Sequence, residues 1–313
     1  MLRGIAVRPC HGVTDSDRHR RRRVREVLDR HGERRRVDHQ RHRQKAATHE
    51  ERRGPRDDRG RSHAHTIRNV PTVSADTPFA VLAREAQRIG VRLDSATLGL
   101  CERYADLLIE RNTSVNLTAI TAPLDIARKH FLDSITALAV RTWTGRERVV
   151  DVGSGAGFPG LALRLALSGL RVTLVESMGK KARFLEEVTT TLAIDGVEVC
   201  NARAEALARE RRDRYDVATA RAVGSLGAVI EYLLPFLRVG GDAIAWKGRL
   251  HDELAGARKA CISIGGEIVR ITSTSDLGLG DTLPGRSLVV VRKTRPTPPR
   301  FPRSAAEAKR RPW

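Results

Sequence analysis

The stretch VVDVGSGAGFPGLALRLAL, residues 149–167, constrains the fold more than any other part of the chain. A short apolar run ends at Asp151, four glycines follow within eight residues, and an apolar pattern at helical spacing comes next. Glycine enters the left-handed backbone region at no steric cost yet loses the most freedom on folding, so several together mark a turn that must hold something close. Strand, glycine-rich turn and helix in that order open a βαβ unit, and its turn lies at the sheet edge where ligands bind.

The pattern around this stretch extends the same architecture. RVVDV, RVTLVE, VEVC, YDVATA, DAIAWK and RSLVVVRK read as strands. FPGLALRLAL, KKARFLEEVTTTLAI, LGAVIEYLLPFL and DELAGARKACISI read as helices between them. Continuous Val/Ile/Leu strands alternating with helices predict an α/β fold, its parallel sheet covered on both faces. Upstream, PFAVLAREAQRIG and SATLGLCERYADLLIERN space their apolar residues as two amphipathic helices, the second opened by Asp94 or Ser95. A third, PLDIARKHFLDSITALAV, has Pro123 in its first turn and runs toward Val140.

Charge changes meaning once it is located. The chain of 313 residues has a formal charge of +20, but residues 1–70 hold 21 Lys and Arg against 10 Asp and Glu, and residues 292–313 hold 8 against 1. Between them, residues 71–291 hold 28 against 26. The segment HRRRRVREVLDRHGERRRVDHQRHRQK has few apolar residues and no period, so residues 1–70 are expected to be a disordered extension. Without an aromatic residue for base stacking it reads as a start placed upstream of the working protein rather than an RNA-binding arm. The Pro- and Arg-rich residues 294–313 are expected to be a disordered basic tail. Cys10, Cys101, Cys200 and Cys261 form no CxxC and have no His at ligand spacing, which predicts a reduced, cytoplasmic protein without a metal site. Charge breaks every long apolar run, so no membrane span is expected.

Two registers compete in the glycine turn. From Gly155, GAGFPG has the G-x-G-x-x-G spacing of a dinucleotide loop, and Glu176 lies 21 residues on, where an acid binds ribose hydroxyls. From Gly153, GSGAG is a G-x-G-x-G directly after Asp151, the pattern of an S-adenosylmethionine (SAM) loop. A pyrophosphate should meet the helix N-terminus immediately where the strand ends, and the first register starts four residues after Asp151. The turn alone leaves a nicotinamide-dependent oxidoreductase and a non-catalytic RNA-binding protein as alternatives.

Separated blocks in order then carry a resemblance: NTSVNLTAI, KHFLDSI, VVDVGSGAGFPG, LVESMGKKARFLEEV, NARAEAL, ATARAVGSL and AWKG. Over residues 78–293 the chain resembles the RsmG family, also called GidB, bacterial enzymes that methylate N7 of a guanine in the decoding-region loop of 16S ribosomal RNA. The resemblance implies a Rossmann-like class I SAM-dependent methyltransferase. Its mostly parallel seven-stranded sheet would fill residues 146–293, with a small N-terminal helical subdomain over 71–145. It implies SAM as cofactor and 16S rRNA or the small ribosomal subunit as partner; a monomer is expected. The family's cofactor contacts fall on Gly153, Phe158, Ala204, Glu205 and Arg221, with Glu176 facing the ribose; Phe158 stands where Leu is common. Gly155 and Gly157 complete the loop.

The chemistry agrees. Guanine N7 already has an in-plane lone pair, so transfer needs alignment and water exclusion rather than a base. No Cys lies in TARAVGSL, where a pyrimidine C5 enzyme would place its nucleophile, nor does the Pro-Pro-aromatic motif of amine methylators. Asp151 is expected to face the ligand's positive charge. Arg221 and Lys247 end strands at the ligand edge and are candidate catalytic residues; Lys247 is also a candidate for RNA, with Lys180, Lys181 and Arg183 at a helix start. His130 and Asp133, three apart on one helix, either pair structurally or act in catalysis. Asn116 either fixes a turn or reaches substrate.

Overall fold

A computed structural model describes residues 77–248 and 250–313. The expected extension over 1–70 lies outside the described residues, as do residues 71–76.

Seven strands form one sheet in the order β3-β2-β1-β4-β5-β7-β6. These are β1 (Arg148–Val152), β2 (Arg171–Val175), β3 (Val197–Cys200), β4 (Tyr215–Arg221), β5 (Leu237–Lys247), β6 (Gly266–Ser273) and β7 (Ser287–Lys293). The first five are parallel neighbours; β7 runs antiparallel to β5 and to β6. Strand order reverses between β1 and β4, so the crevice past their carboxyl ends is the place where such sheets bind ligands. β1 and β2 are buried at every position after the first, as expected for strands covered on both faces.

One face carries α1 (Pro78–Arg88), α2 (Ser95–Val115), α3 (123–135) and α4 (Ala137–Val140), then α5 (Gly160–Ala166) and α6 (Gly179–Thr191). The other carries α7 (Ala204–Glu210), α8 (Leu226–Leu233) and α9 (Leu254–Ile264). Thr77 caps α1 by accepting from Ala80 N, and the Asp94 carboxylate caps α2 by accepting from Thr97 N. Tyr104, Leu108 and Phe131 belong to the same apolar cluster as Val149, Leu174 and Ile244. The N-terminal helices thus share the sheet's core and have none of their own.

Three features differ from the sequence reading. The third helix is not uniform: α3 joins an α-helical turn (Pro123–Asp125), a π-helical segment (Ile126–Leu132) and another turn (Asp133–Ile135), and α4 (Ala137–Val140) follows. Two of its carbonyls are drawn to outside donors, Lys129 O to Arg221 Nη1 and Asp133 O to Trp246 Nε1. A π segment commonly marks a functional place in a helix. Strand β6, GEIVRITS, escaped the pattern because it is an edge strand with a bulge between Ile268 and Arg270 that breaks its alternation.

The expected disordered tail is a correction. Phe301 is buried in the second core cluster, Ser304 and Glu307 form a capping box on α10 (Ala305–Arg310), and Trp313 packs beside Phe301. Arg303 forks onto the buried Glu231, which also accepts from Trp313 Nε1, and Arg212 donates to the carbonyls of Thr297 and Phe301. The first turns of α8 and α9 make room for it: a Cβ on Gly227 or Gly256 would lie 2.6 Å from Trp313 Cβ or 2.8 Å from its backbone oxygen. Composition failed here because the tail's arginine is paired to a buried acid and its few apolar anchors lie too far apart to make a period.

Candidate cofactor site and substrate mouth

A cleft of about 230 Å³ opens at the carboxyl ends of β1 and β2. Gly153, Ser177, Ala204, Glu205, Val223 and Tyr232 line it. The loop after β1 can approach it because Gly153 sits at φ +68°, and a Cβ there would stand 2.8 Å from Val223 Cγ2. Gly155 donates its N–H to Glu176 Oε2 at 2.9 Å, while Glu176 Oε1 accepts from Met178 N at 2.7 Å. The predicted Gly153, Ala204 and Glu205 therefore line one cleft, and Glu176 lies between its lining Val175 and Ser177 with its carboxylate on the loop.

Other predicted contacts face elsewhere. Asp151 is fully buried; its Oδ1 accepts from Thr219 Oγ1 at 2.7 Å and its Oδ2 from Gly160 N at 3.1 Å. Burial pushes its carboxyl up to about 6 against those hydrogen bonds. It braces β4 and the start of α5 and does not face the cleft, contrary to the expectation of a direct ligand contact. With Gly160 N taken by that acid and Leu161 N by Gly157 O, the helix start presents an anion, not free donors, to any pyrophosphate. This disfavours the dinucleotide register. Gly157 is needed on another ground: a Cβ there would collide with the Tyr104 hydroxyl. The Phe158 side chain is likewise turned into the core, stacked between Tyr104 (centroids 5.1 Å) and His130 (4.7 Å).

Arg221, His130 and Asp133 meet at the carboxyl end of β4, two residues before the cleft-lining Val223. Arg221 Nη1 donates to Asp133 Oδ2 and to Lys129 O, both at 2.9 Å, and its Nη2 lies 3.1 Å from His130 Nδ1. His130 and Asp133 thus do not pair with each other; each holds the arginine. Asp133 is fully buried, and its other oxygen lies 4.0 Å from Arg286 Nε. His130 Nε2 is 2.8 Å from Thr118 Oγ1. Lys247 pairs internally with Glu253 (2.8 Å) and donates to Gly224 O (2.7 Å). Lys180 and Arg183 are exposed and Lys181 half-buried at the start of α6, with no ion pair to another described residue. Asn116 is exposed and ends α2 in the left-handed region. The loop is built instead by Asn112, whose Oδ1 accepts from Leu117 N and Thr118 N and whose Nδ2 donates to Thr118 O. Asn112, Thr118 and Arg286 escaped the sequence reading; two asparagines four apart in NTSVN were the only hint of a built loop.

Burial and the cations Arg221 and Arg286 push the His130 ring down to about 3. An unfolded ring titrates near 6.5, so the unfolded chain takes the proton first. The ring's contribution is complete above that value and is lost as pH falls from 6.5 toward 3, by about 1.4 kcal/mol per unit. Between pH 7.5 and 5 the protein should lose about 2 kcal/mol relative to His130→Gln in denaturant unfolding. Asp151, raised, works in the opposite direction, but it is present in both proteins and cancels. Parallel pH profiles would show a ring that titrates normally.

The sequence pattern of the GidB family, rRNA small subunit methyltransferase G, matches residues 98–292. The chain belongs to this family. A methyltransferase G of Alkaliphilus oremlandii is 37% identical over 235 residues, covering 74% of this chain and 97% of the relative. That of Roseiflexus castenholzii is 41% identical over 237 residues, covering 74% and 98%. Chloroflexus aggregans has one 42% identical over 230 residues, covering 71% and 93%. The GidB match spans both the glycine loop and the Arg221 cluster. The packed segment after Lys293 lies beyond it. Among the described residues of this GidB chain, no helix is long and apolar enough to cross a membrane, and no three His, Cys, Asp or Glu side chains converge as a metal site.

Proposed function

We propose that the chain transfers methyl from SAM to N7 of a guanine in the decoding-region loop of 16S rRNA, acting as a cytoplasmic monomer on the RNA or the small subunit. The observation that carries the reading is one cleft at the sheet's switch point lined by Gly153, Ala204 and Glu205, with Glu176 placed between its lining Val175 and Ser177 and holding the glycine loop. The cleft fits SAM: at Gly153 the backbone leaves a cradle that a Cβ would fill, and each Glu176 oxygen keeps lone-pair capacity for ribose hydroxyls. When bound, SAM supplies an activated methyl on its sulfonium. The side chains do the holding. Arg221, fixed by two acceptors on Nη1 and one on Nη2, keeps its Nε–H for a ligand acceptor at the mouth. His130 has both ring nitrogens engaged and is held neutral, so it is no general base. A ring nitrogen with a ready lone pair requires none.

Purified protein should move labelled methyl from SAM to small-subunit particles or RNA lacking the mark, and nuclease digestion should return the label as 7-methylguanosine. Label in another nucleoside or a small molecule, or SAM binding without transfer, would sink the reading.

A further inference from the structure

We propose that Thr118 is a specificity residue: its hydroxyl donates to O6 of the acceptor guanine and so rejects adenine. The inference rests on the N7-guanine reading above. It follows from counting donors and acceptors along one chain of side chains.

Arg221 has only donors, so the 3.1 Å contact from its Nη2 requires His130 Nδ1 to accept. The ring's single proton then sits on Nε2 and is donated to Thr118 Oγ1 at 2.8 Å. Ile120 N donates to the same oxygen at 3.0 Å. Both lone pairs of the hydroxyl are thereby filled. An ordinary threonine can donate or accept; this one can only donate, and no described residue takes its proton. Thr118 is half-buried, in the loop between α2 and α3. Two hydrogen bonds separate it from Arg221, which precedes the cleft-lining Val223 by two residues. The positive charge at the far end polarises the relay in the donating direction.

Guanine offers two acceptors on the edge to be methylated, N7 and O6, whereas adenine offers N7 beside an amino donor. A hydroxyl restricted to donation pairs with O6 and opposes the amino group. Discrimination by a site built to hydrogen-bond one group is strong because the wrong partner leaves a polar group unpaired. Thr118 also ties the substrate side to the cofactor side, since His130 that fills its lone pair orients Arg221.

The test uses the full chain and small-subunit RNA carrying guanine, hypoxanthine or 2-aminopurine at the acceptor position. All three keep N7; only 2-aminopurine lacks O6. Wild type should favour guanine and hypoxanthine over 2-aminopurine by about tenfold in kcat/KM. Thr118→Val should lose about that factor on the first two and almost nothing on 2-aminopurine, while Thr118→Ser restores the preference. Far-UV circular dichroism and a single cooperative unfolding transition in Thr118→Val report an intact fold. An equal loss on all three bases, or a wild type indifferent to O6, overturns the role of Thr118. Failure of the wild type to methylate guanine at N7 overturns the function itself, and the role with it.

Discussion

Replacing Arg221 with alanine should lower the stability of the protein by about 3–5 kcal/mol and reduce methyl transfer by at least about a hundredfold. The stability loss comes from Asp133, which is fully buried and would lose the guanidinium at 2.9 Å. The carbonyl of Lys129 and Nδ1 of His130 would lose their donor at the same time. Denaturant unfolding measures the first effect and single-turnover transfer the second. They separate in a double variant: Arg221→Ala with Asp133→Asn removes the stranded acid and should recover much of the stability but none of the transfer. Lysine at 221 should rescue poorly, because one ammonium cannot reproduce a fork held by three acceptors. An Arg221→Ala protein that unfolds at the wild-type denaturant concentration would show that the Asp133 pair does not form.

For Glu176→Ala the expected result is the opposite combination: a modest change in stability and a dissociation constant for SAM raised by about two orders of magnitude. Two effects add. The Gly155 and Met178 amides lose their acceptor, so the loop is no longer held against the end of β2. The cleft also loses the carboxylate proposed for the ribose hydroxyls, and hydrogen bonds to charged groups are the stronger kind. Titration calorimetry with SAM reads the sum. Glu176→Gln keeps an acceptor for Gly155 and should fall between the two proteins. Wild-type affinity in Glu176→Ala would place the ribose elsewhere.

Much of this was legible in the chain, for identifiable reasons. Parallel strands buried on both faces must be continuous Val/Ile/Leu runs, so β1, β2 and β4 announce themselves, and the glycines between β1 and α5 mark the edge that binds ligand. Side-chain direction was harder to read. Val150 and Val152 belong to one core cluster and Val149 to the other. Strand alternation therefore turns Asp151 toward α5, beneath the loop and away from the cleft. Being at the end of a strand fixes a residue's height on the sheet, not its face. Lys247 shows the same limit: its place at the sheet edge was readable, its partner Glu253 was not. The Arg221 cluster depends on contacts about 90 residues apart in sequence, and local pattern carries no trace of which of several candidates will meet. It named the members, His130, Asp133 and Arg221, and missed Thr118, whose importance lies wholly in what donates to it.

The glycines under Trp313 bear on how this sequence can change over time. Glycine gives up more backbone freedom on folding than alanine, so Gly227 and Gly256, in the first turns of α8 and α9, are a standing cost that only the packed segment above them repays. Neither side can move first without loss: alanine on the helices collides with Trp313, and losing Trp313 leaves two weakened helices and takes one donor from the buried Glu231. Lineages that dropped the segment would then gain by accepting alanine at both places, and each such step would make its return harder. The terminal segment and the two glycines should accordingly be inherited, or lost, as one unit.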